Sequence, residues 1–295
     1  MKNLLIDISP LAYRTLFANK EDFKMLGENI LRHNLLGSIF YYIDRFKPNK
    51  VFVCFECDGK NWRKEKFDFY KAQRKEAREK QDVNWDEFYS FTSSFYNELK
   101  ENFPFYVLKH DKLEADDIVS ILVKKFLGND NIMITNDGDY KQLLKYPGVK
   151  FFDSMKGIFN ECDSPKKFLE TKIIMGDRSD NIPPIRPRFG EKTAEKLIES
   201  EEIYKMLNEV DPDGQPCELK RNYDRNKLLI DLENTPRDLV ESLENMVDEY
   251  QPPTSKYMVT YFRTKRLVEH LGNISKIRQN LESLVTEEAQ LDFAF

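Results

Sequence analysis

The chain has 295 residues, 40% of them hydrophobic and 33% charged, with a formal net charge of −5 at neutral pH. That length suits one large domain or a core with an appendage, and the average charge argues against a simple basic nucleic-acid binder. No apolar run approaches the roughly 20 residues of a bilayer span, and Asp7 interrupts the N-terminus too early for a signal peptide, so a cytosolic protein is expected.

In chain order, apolar β-branched runs predict strands at Leu4–Asp7, Val51–Glu56, Phe105–Leu108 and Ile132–Thr135. Helical patterns lie between them at Gly27–Phe46, Asn84–Glu101 and Glu114–Leu127. Such alternation implies an α/β class with a mainly parallel sheet. Beyond about Asp163 the pattern is helical almost to the end, predicting a smaller helical C-terminal region packed on the sheet domain. Cys54, Cys57, Cys162 and Cys217 form no disulfide framework, and the CxxC of Cys54 and Cys57 lacks the two further ligands that zinc needs.

The stretch from Asn61 to Asp82 interleaves Arg63, Lys71 and Arg74 with Trp62, Phe67, Phe69 and Tyr70. In isolation its plain reading is a solvated charged helix; the functional alternative is an arm that grips a nucleic-acid strand by phosphate contacts and base stacking.

Carboxylates carry the functional argument. Asp7, Glu56 and Asp137 stand at or just after three strand ends, and open α/β sheets place their sites outside the carboxyl ends of strands. Glu114, Asp116 and Asp117 open a helix, Asp137 and Asp139 follow a strand, and Asp177 and Asp180 share one side of a turn by their spacing. Capping or a plain turn explains any one of these alone. Together they would repel one another unless cations sit among them. An all-oxygen donor set without histidine suits magnesium or manganese. Two such ions would support metal-assisted hydrolysis of a phosphodiester.

Leu113-Glu114-Ala115-Asp116-Asp117, Asn136-Asp137-Gly138-Asp139-Tyr140-Lys141-Gln142-Leu143 and Gly176-Asp177-Arg178-Ser179-Asp180-Asn181-Ile182-Pro183 resemble the acidic motifs of the flap endonuclease/5′-3′ exonuclease family. The likeness runs over about residues 3 to 195 and is strongest to the family's ribonuclease H branch. It implies a PIN-like nuclease domain over 1–180 with a helical arch at about 61–95. A helical DNA-binding region would follow over 181–282, with a tail at 283–295. It also implies a monomer that removes RNA primers or 5′ flaps during replication, with two magnesium ions. By this resemblance Asp7, Glu56, Glu114, Asp116 and Asp137 hold the first ion. Asp139, Asp177 and Asp180 hold or water-bridge the second, with Asp117 between the sets. Tyr70-Lys71-Ala72-Gln73-Arg74 is similar to the family's arch run, so Lys71 and Arg74 would stabilise the scissile phosphate and Tyr70 would stack on a base. Arg63 would contact the nucleic-acid backbone or orient the arch.

Two departures mark the chain. The family's second-strand acid is usually aspartate; here Glu56 takes that position, with Asp58 as the alternative. At Pro184–Ala194 only Gly190, Lys192, Thr193 and Ala194 keep the helix-turn-helix pattern that often holds potassium, while Arg186, Arg188 and Lys192 would bind duplex backbone. Gln290, Leu291, Phe293 and Phe295 resemble a sliding-clamp peptide, and a single-strand-binding protein is a partner on family likeness alone. The competing reading is a PIN-like module that binds branched nucleic acid without cutting it.

Overall fold

The alternation of apolar side chains decides how the sheet is covered. In a computed structural model describing residues 1–282 and 284, strands β1 (Lys2–Asp7), β2 (Lys50–Cys54), β3 (Tyr106–Leu108) and β4 (Asp130–Thr135) form where the runs predict them. Leu4 and Ile6, Val51 and Val53, and Ile132 and Ile134 face one core, whereas Leu5, Phe52, Cys54 and Met133 face another. That is the two-residue period of a strand buried on both sides. Two further strands, β5 (Val149–Asp153) and β6 (Ile158–Asn160), extend the order to β3-β2-β1-β4-β5-β6. All neighbours are parallel except the β5–β6 hairpin.

Helices α1 (Ile8–Ala18), α2 (Lys20–Leu26) and α3 (Asn29–Phe46) join β1 to β2. The next crossover contains α4 (Trp62–Lys66), α5 (Arg74–Glu79) and α6 (Trp85–Asn102), and α7 (Ala115–Lys125) leads into β4. Neither α1 nor α2 follows from the apolar pattern. Asp7 caps α1 by accepting from the Ser9 N–H at 3.2 Å, so the first strand runs directly into a helix.

The rest of the chain forms α8 (Pro165–Met175), α9 (Glu191–Glu199), α10 (Glu202–Leu207), α11 (Glu218–Ile230), α12 (Arg237–Glu249), α13 (Met258–Thr264), α14 (Val268–Gly272) and α15 (Ile274–Glu282). It is the expected helical C-terminal region, and its helices pack in three places. Ile174, Ile185, Ala194 and Ile203 make a small core of their own. Leu243 and Val247 of α12 complete the core on the α7 face, while Met258, Phe262 and Leu281 complete the opposite one. Both sheet faces therefore need chain from beyond residue 230 to exclude water.

β1 lies between β2 and β4: the chain moves to one side of it for β2 and β3 and crosses back to the other side for β4. The crevice at such a switch point is where an open sheet admits a ligand. Asp7 ends β1 there.

Candidate metal centre

Each carboxylate is placed by a short, well-determined piece of backbone. Asp137 follows β4 and accepts from the Asp139 N–H at 2.9 Å, opening a 3₁₀ turn at Gly138–Lys145. Asp177 repeats the device, accepting from the Ser179 N–H at 2.8 Å. The Asp-Gly turn and the functional reading are thus the same feature. Gly176 makes the second turn possible. Its φ is +70°, and a Cβ there would lie 2.4 Å from the Ile182 carbonyl oxygen and 2.5 Å from the Pro183 carbonyl carbon. Only glycine fits, and the Asp177–Ile182 backbone pair closes at 2.9 and 2.8 Å beside it.

The acids divide by what neutralises them. Asp117 is wholly buried and accepts from both Arg63 Nη atoms at 2.8 Å, Trp62 Nε1 at 3.0 Å, Thr235 Oγ1 at 3.1 Å and the Glu114 N–H at 3.1 Å. Glu114 meets Arg63 at 3.0 Å, the Tyr70 hydroxyl at 2.7 Å and the Lys71 ammonium. Asp180 pairs with Arg74 at 2.6 Å. Lys172 sits between Asp139 and Asp177, 2.7 Å from the latter. By contrast, among the described residues no ion pair reaches Asp7, Glu56 or Asp137, and Asp116 has only Arg63 at 3.8 Å.

Protonation follows this division except at Asp139. Burial, then the charges of Glu56 and Asp137, push Asp7 well above the usual carboxylate range. Glu56 is exposed on the cavity wall, yet desolvation of its carboxyl and then the Glu114 charge raise it to about 7. Burial likewise raises Asp116 well above its ordinary value, and Asp139 to about 6 despite Lys172. Glu114 goes the other way: burial opposes its charge, but Lys71 and Arg63 outweigh that and hold it at about 2.

Asp7, Glu56, Asp116 and Asp137 line one cavity of about 630 Å³, with Lys71, Arg74 and Arg14 also on its wall. Four carboxylates lining one cavity, three with no ion pair and Asp116 with only Arg63 at 3.8 Å, fit a hard divalent cation. The acids at the start of α7 offer oxygens within 4.8 Å of one another, although those of Asp117 already face an arginine.

Several expectations change here. Arg63 is 1% exposed, with Nε bonded to the Leu229 carbonyl at 2.8 Å, so it anchors α4 to the end of α11 and cannot reach a nucleic-acid backbone, which leaves only the alternative that it orients this segment. Tyr70 is also 1% exposed; its hydroxyl serves Glu114 and Asp180, and its ring is closed to a base. Asp117 does not bridge two ion sites, since both of its oxygens are occupied by donors. Glu56, not Asp58, stands in the cluster: Asp58 is exposed and pairs with Lys109. Lys71 and Arg74 do reach the cavity, on a segment clasped to the 177–181 turn. There the Lys71 N–H meets the Asp180 carbonyl at 2.9 Å, and Asn181 Nδ2 meets the Phe69 carbonyl at 2.8 Å.

Arg186, Arg188 and Lys192 are exposed around the turn before α9. Gln290, Leu291, Phe293 and Phe295 lie outside the described residues. The sequence reading missed Lys172, Tyr140 and Arg14. Lys172 stands five residues before Asp177 on a helical pattern, and Tyr140, whose hydroxyl reaches Asp7 at 3.0 Å, directly follows the Asp-Gly-Asp motif, so both had a signal. Arg14 had none, because α1 was not expected.

The family model for the 5′-3′ exonuclease N-terminal resolvase-like domain matches residues 2–172. Ribonuclease H of Enterobacteria phage T4 is 30% identical over 281 residues, covering 88% of this chain and 90% of that protein. DNA polymerase I of Caldicellulosiruptor bescii is 30% identical over 71% of this chain, which spans only 26% of the polymerase. Among solved structures, the bacteriophage T5 D15 flap endonuclease with DNA and metal ions aligns with a TM-score of 0.66 at 19% identity, over 84% of this chain and 98% of that one.

Proposed function

This chain belongs to the 5′-3′ exonuclease family, a family of nucleases, and on that basis we propose that it removes RNA primers and 5′ flaps from DNA by metal-dependent phosphodiester hydrolysis. The observation that carries the reading is the uncompensated half of the cluster: Asp7, Glu56, Asp116 and Asp137 around one cavity, with raised affinities for protons in three of them. Acids left with no ion pair, or in Asp116 only a long one to Arg63, favour a bound positive charge.

Magnesium, which manganese would replace, supplies Lewis-acid polarisation of the phosphodiester and a lowered pKa for the attacking water. Asp7, Glu56, Asp116 and Asp137 would hold one ion with Glu114 beside them; Asp139, Asp177 and Asp180 would hold or water-bridge the other only once Lys172 and Arg74, which neutralise them here, have swung away. Lys71 and Arg74 stand at the wall of the same cavity, where their charge draws in the scissile phosphate and balances the negative charge that develops on it. Arg186, Arg188 and Lys192 would hold the duplex by its phosphates, a contact that positions without reading sequence.

The test is cleavage of a 5′-labelled flap duplex and of an RNA·DNA hybrid, with magnesium or EDTA, beside Asp137→Asn. Short products that need magnesium and vanish in the variant are expected, and their lengths rank the two substrates. Tight binding of both substrates without cleavage of either would replace this reading with a non-catalytic binding module.

A further inference from the structure

The two sets of acids differ in what already occupies them. Lys172 of α8 sends its ammonium between Asp139, in the turn after β4, and Asp177, in the turn after α8, and lies 2.7 Å from the latter. Asp180, in that second turn, faces Arg74 at 2.6 Å and Lys71 at 3.7 Å. Among the described residues no ion pair reaches Asp7, Glu56 or Asp137. The place that a second cation would take is therefore filled by a side chain, while the first place is open.

Lys172 is not a loose surface group. Its side chain is 16% exposed. Ile173 and Ile174 next to it are buried, and the Ile173 carbonyl accepts from Asn226 Nδ2 of α11 at 2.9 Å, so α8 presents this lysine at a fixed place. Among the described residues it has no hydrogen-bond or ion partner besides Asp139 and Asp177. Lys71 and Arg74 stand on the wall of the carboxylate cavity, whereas Lys172 does not. Its charge is thus directed at two acids from separate chain segments and not at a phosphate in that cavity. It does for them what a bound cation would do, cancelling a repulsion that their burial makes strong.

We propose that Lys172 is an internal cation that holds the place of the second divalent ion, so that the free protein takes one ion readily and a second only when this ammonium leaves. The proposal rests on the reading of Asp139, Asp177 and Asp180 as ion ligands. It makes the cluster fill in a fixed order, the unmatched acids first and the matched ones after. Lys172 is a positioning residue in this scheme: it keeps Asp139 and Asp177 together while no ion lies between them.

The experiment titrates the full chain with manganese, without nucleic acid, and counts bound ions from the paramagnetic resonance of the free ion. Wild type should bind one ion tightly and a second at least about tenfold more weakly, the low end of what one neighbouring charge does to a carboxylate's affinity for a cation. Lys172→Met should tighten the second ion by at least about the same tenfold and leave the first unchanged. Lys172→Arg, which keeps the charge, should bind the second ion as weakly as wild type. Without ions Lys172→Met should melt below wild type, and manganese should restore it. Amine labelling of wild type, followed by mass spectrometry, depends on no variant: Lys172 should be protected with one ion bound and react with two. Two equal sites in wild type, a second ion bound no tighter by Lys172→Met, or a Lys172 still protected with two ions bound overturns the proposal. Failure of the underlying reading is seen separately, as no ion bound by wild type at all, or as a first ion that Asp137→Asn binds as tightly as wild type.

Discussion

Asp117 and Asp137 belong to one carboxylate cluster, yet the first accepts from an arginine, a tryptophan, a threonine and a backbone N–H, while the second is exposed and has no ion pair among the described residues. The same contrast separates Glu114, Asp139, Asp177 and Asp180, each facing Lys71, Arg74 or Lys172, from Asp7, Glu56 and Asp116. A carboxylate buried against a fixed cation contributes to holding the chain together and harms it when one partner is removed. One left unmatched at the end of a parallel strand costs stability and is kept for what it binds. Substitutions on the two sides should therefore have opposite signatures.

The largest effect belongs to the unmatched side. Asp137→Asn or Asp7→Asn should lower cleavage by about a thousandfold, about 4 kcal/mol of lost transition-state stabilisation. The melting temperature of the ion-free protein should stay level or rise, because one repelling charge has gone. Steady-state cleavage and thermal melting of the same preparation check both. A fall in melting temperature that tracks the lost activity would erase the distinction.

On the matched side, Arg63→Ala should cost about 3–5 kcal/mol of stability in urea denaturation, because Asp117 is left charged, buried and unpaired. Arg63→Lys should recover little, since an ammonium cannot make the two parallel bonds to Asp117 together with the one to the Leu229 carbonyl. Wild-type stability in Arg63→Ala would show that the arginine serves the reaction after all.

How much of this was legible depended on whether the signal was local. The first four strands and the three long helices came from periodicity, and the acids came from their spacing. β5 and β6 did not, because a 3₁₀ turn and a Gly-containing link interrupt the pattern between β4 and Val149. The division of the acids was also hidden. Nothing near Arg63 in sequence says that it lies on Asp117, which is 54 residues away, or that Thr235 completes that shell from 118 residues away. Composition made Arg63 and Tyr70 look like surface groups. Burial is a property of the tertiary fold, and a charged residue in a basic run gives no sign of it.

A smaller effect sharpens the comparison at the backbone. Gly176→Ala places a Cβ against the Ile182 and Pro183 backbone at a φ of +70°. Strain of about 1–3 kcal/mol is expected, with Asp177 displaced from Lys172. Urea denaturation gives the first quantity. A drop in cleavage at limiting magnesium, recovered at higher magnesium, reports the second. Unchanged stability would mean that the 176–183 loop is free to re-form.

The smallest effect is a pH dependence, and it tests whether the raised acids and the ion site are the same groups. In the ion-free protein Glu56 is raised from its ordinary 4.5 to about 7, and Asp139 from 3.8 to about 6. Each therefore holds a proton in the folded chain where the unfolded chain has lost it. Their contribution to folding is complete below about pH 4 and is lost as pH rises toward 7. A divalent ion must displace those protons, so its stabilisation grows over the same interval. Magnesium should raise the melting temperature by about 1 °C or less at pH 5.5 and by several degrees, roughly 3–6 °C, at pH 7.5. Glu56→Gln, which cannot hold the extra proton, should flatten the ion-free profile and reduce the magnesium gain at pH 7.5. A gain equal at both pH values, or unaffected by Glu56→Gln, would place the ion away from the unmatched carboxylates and undo the division between the two halves.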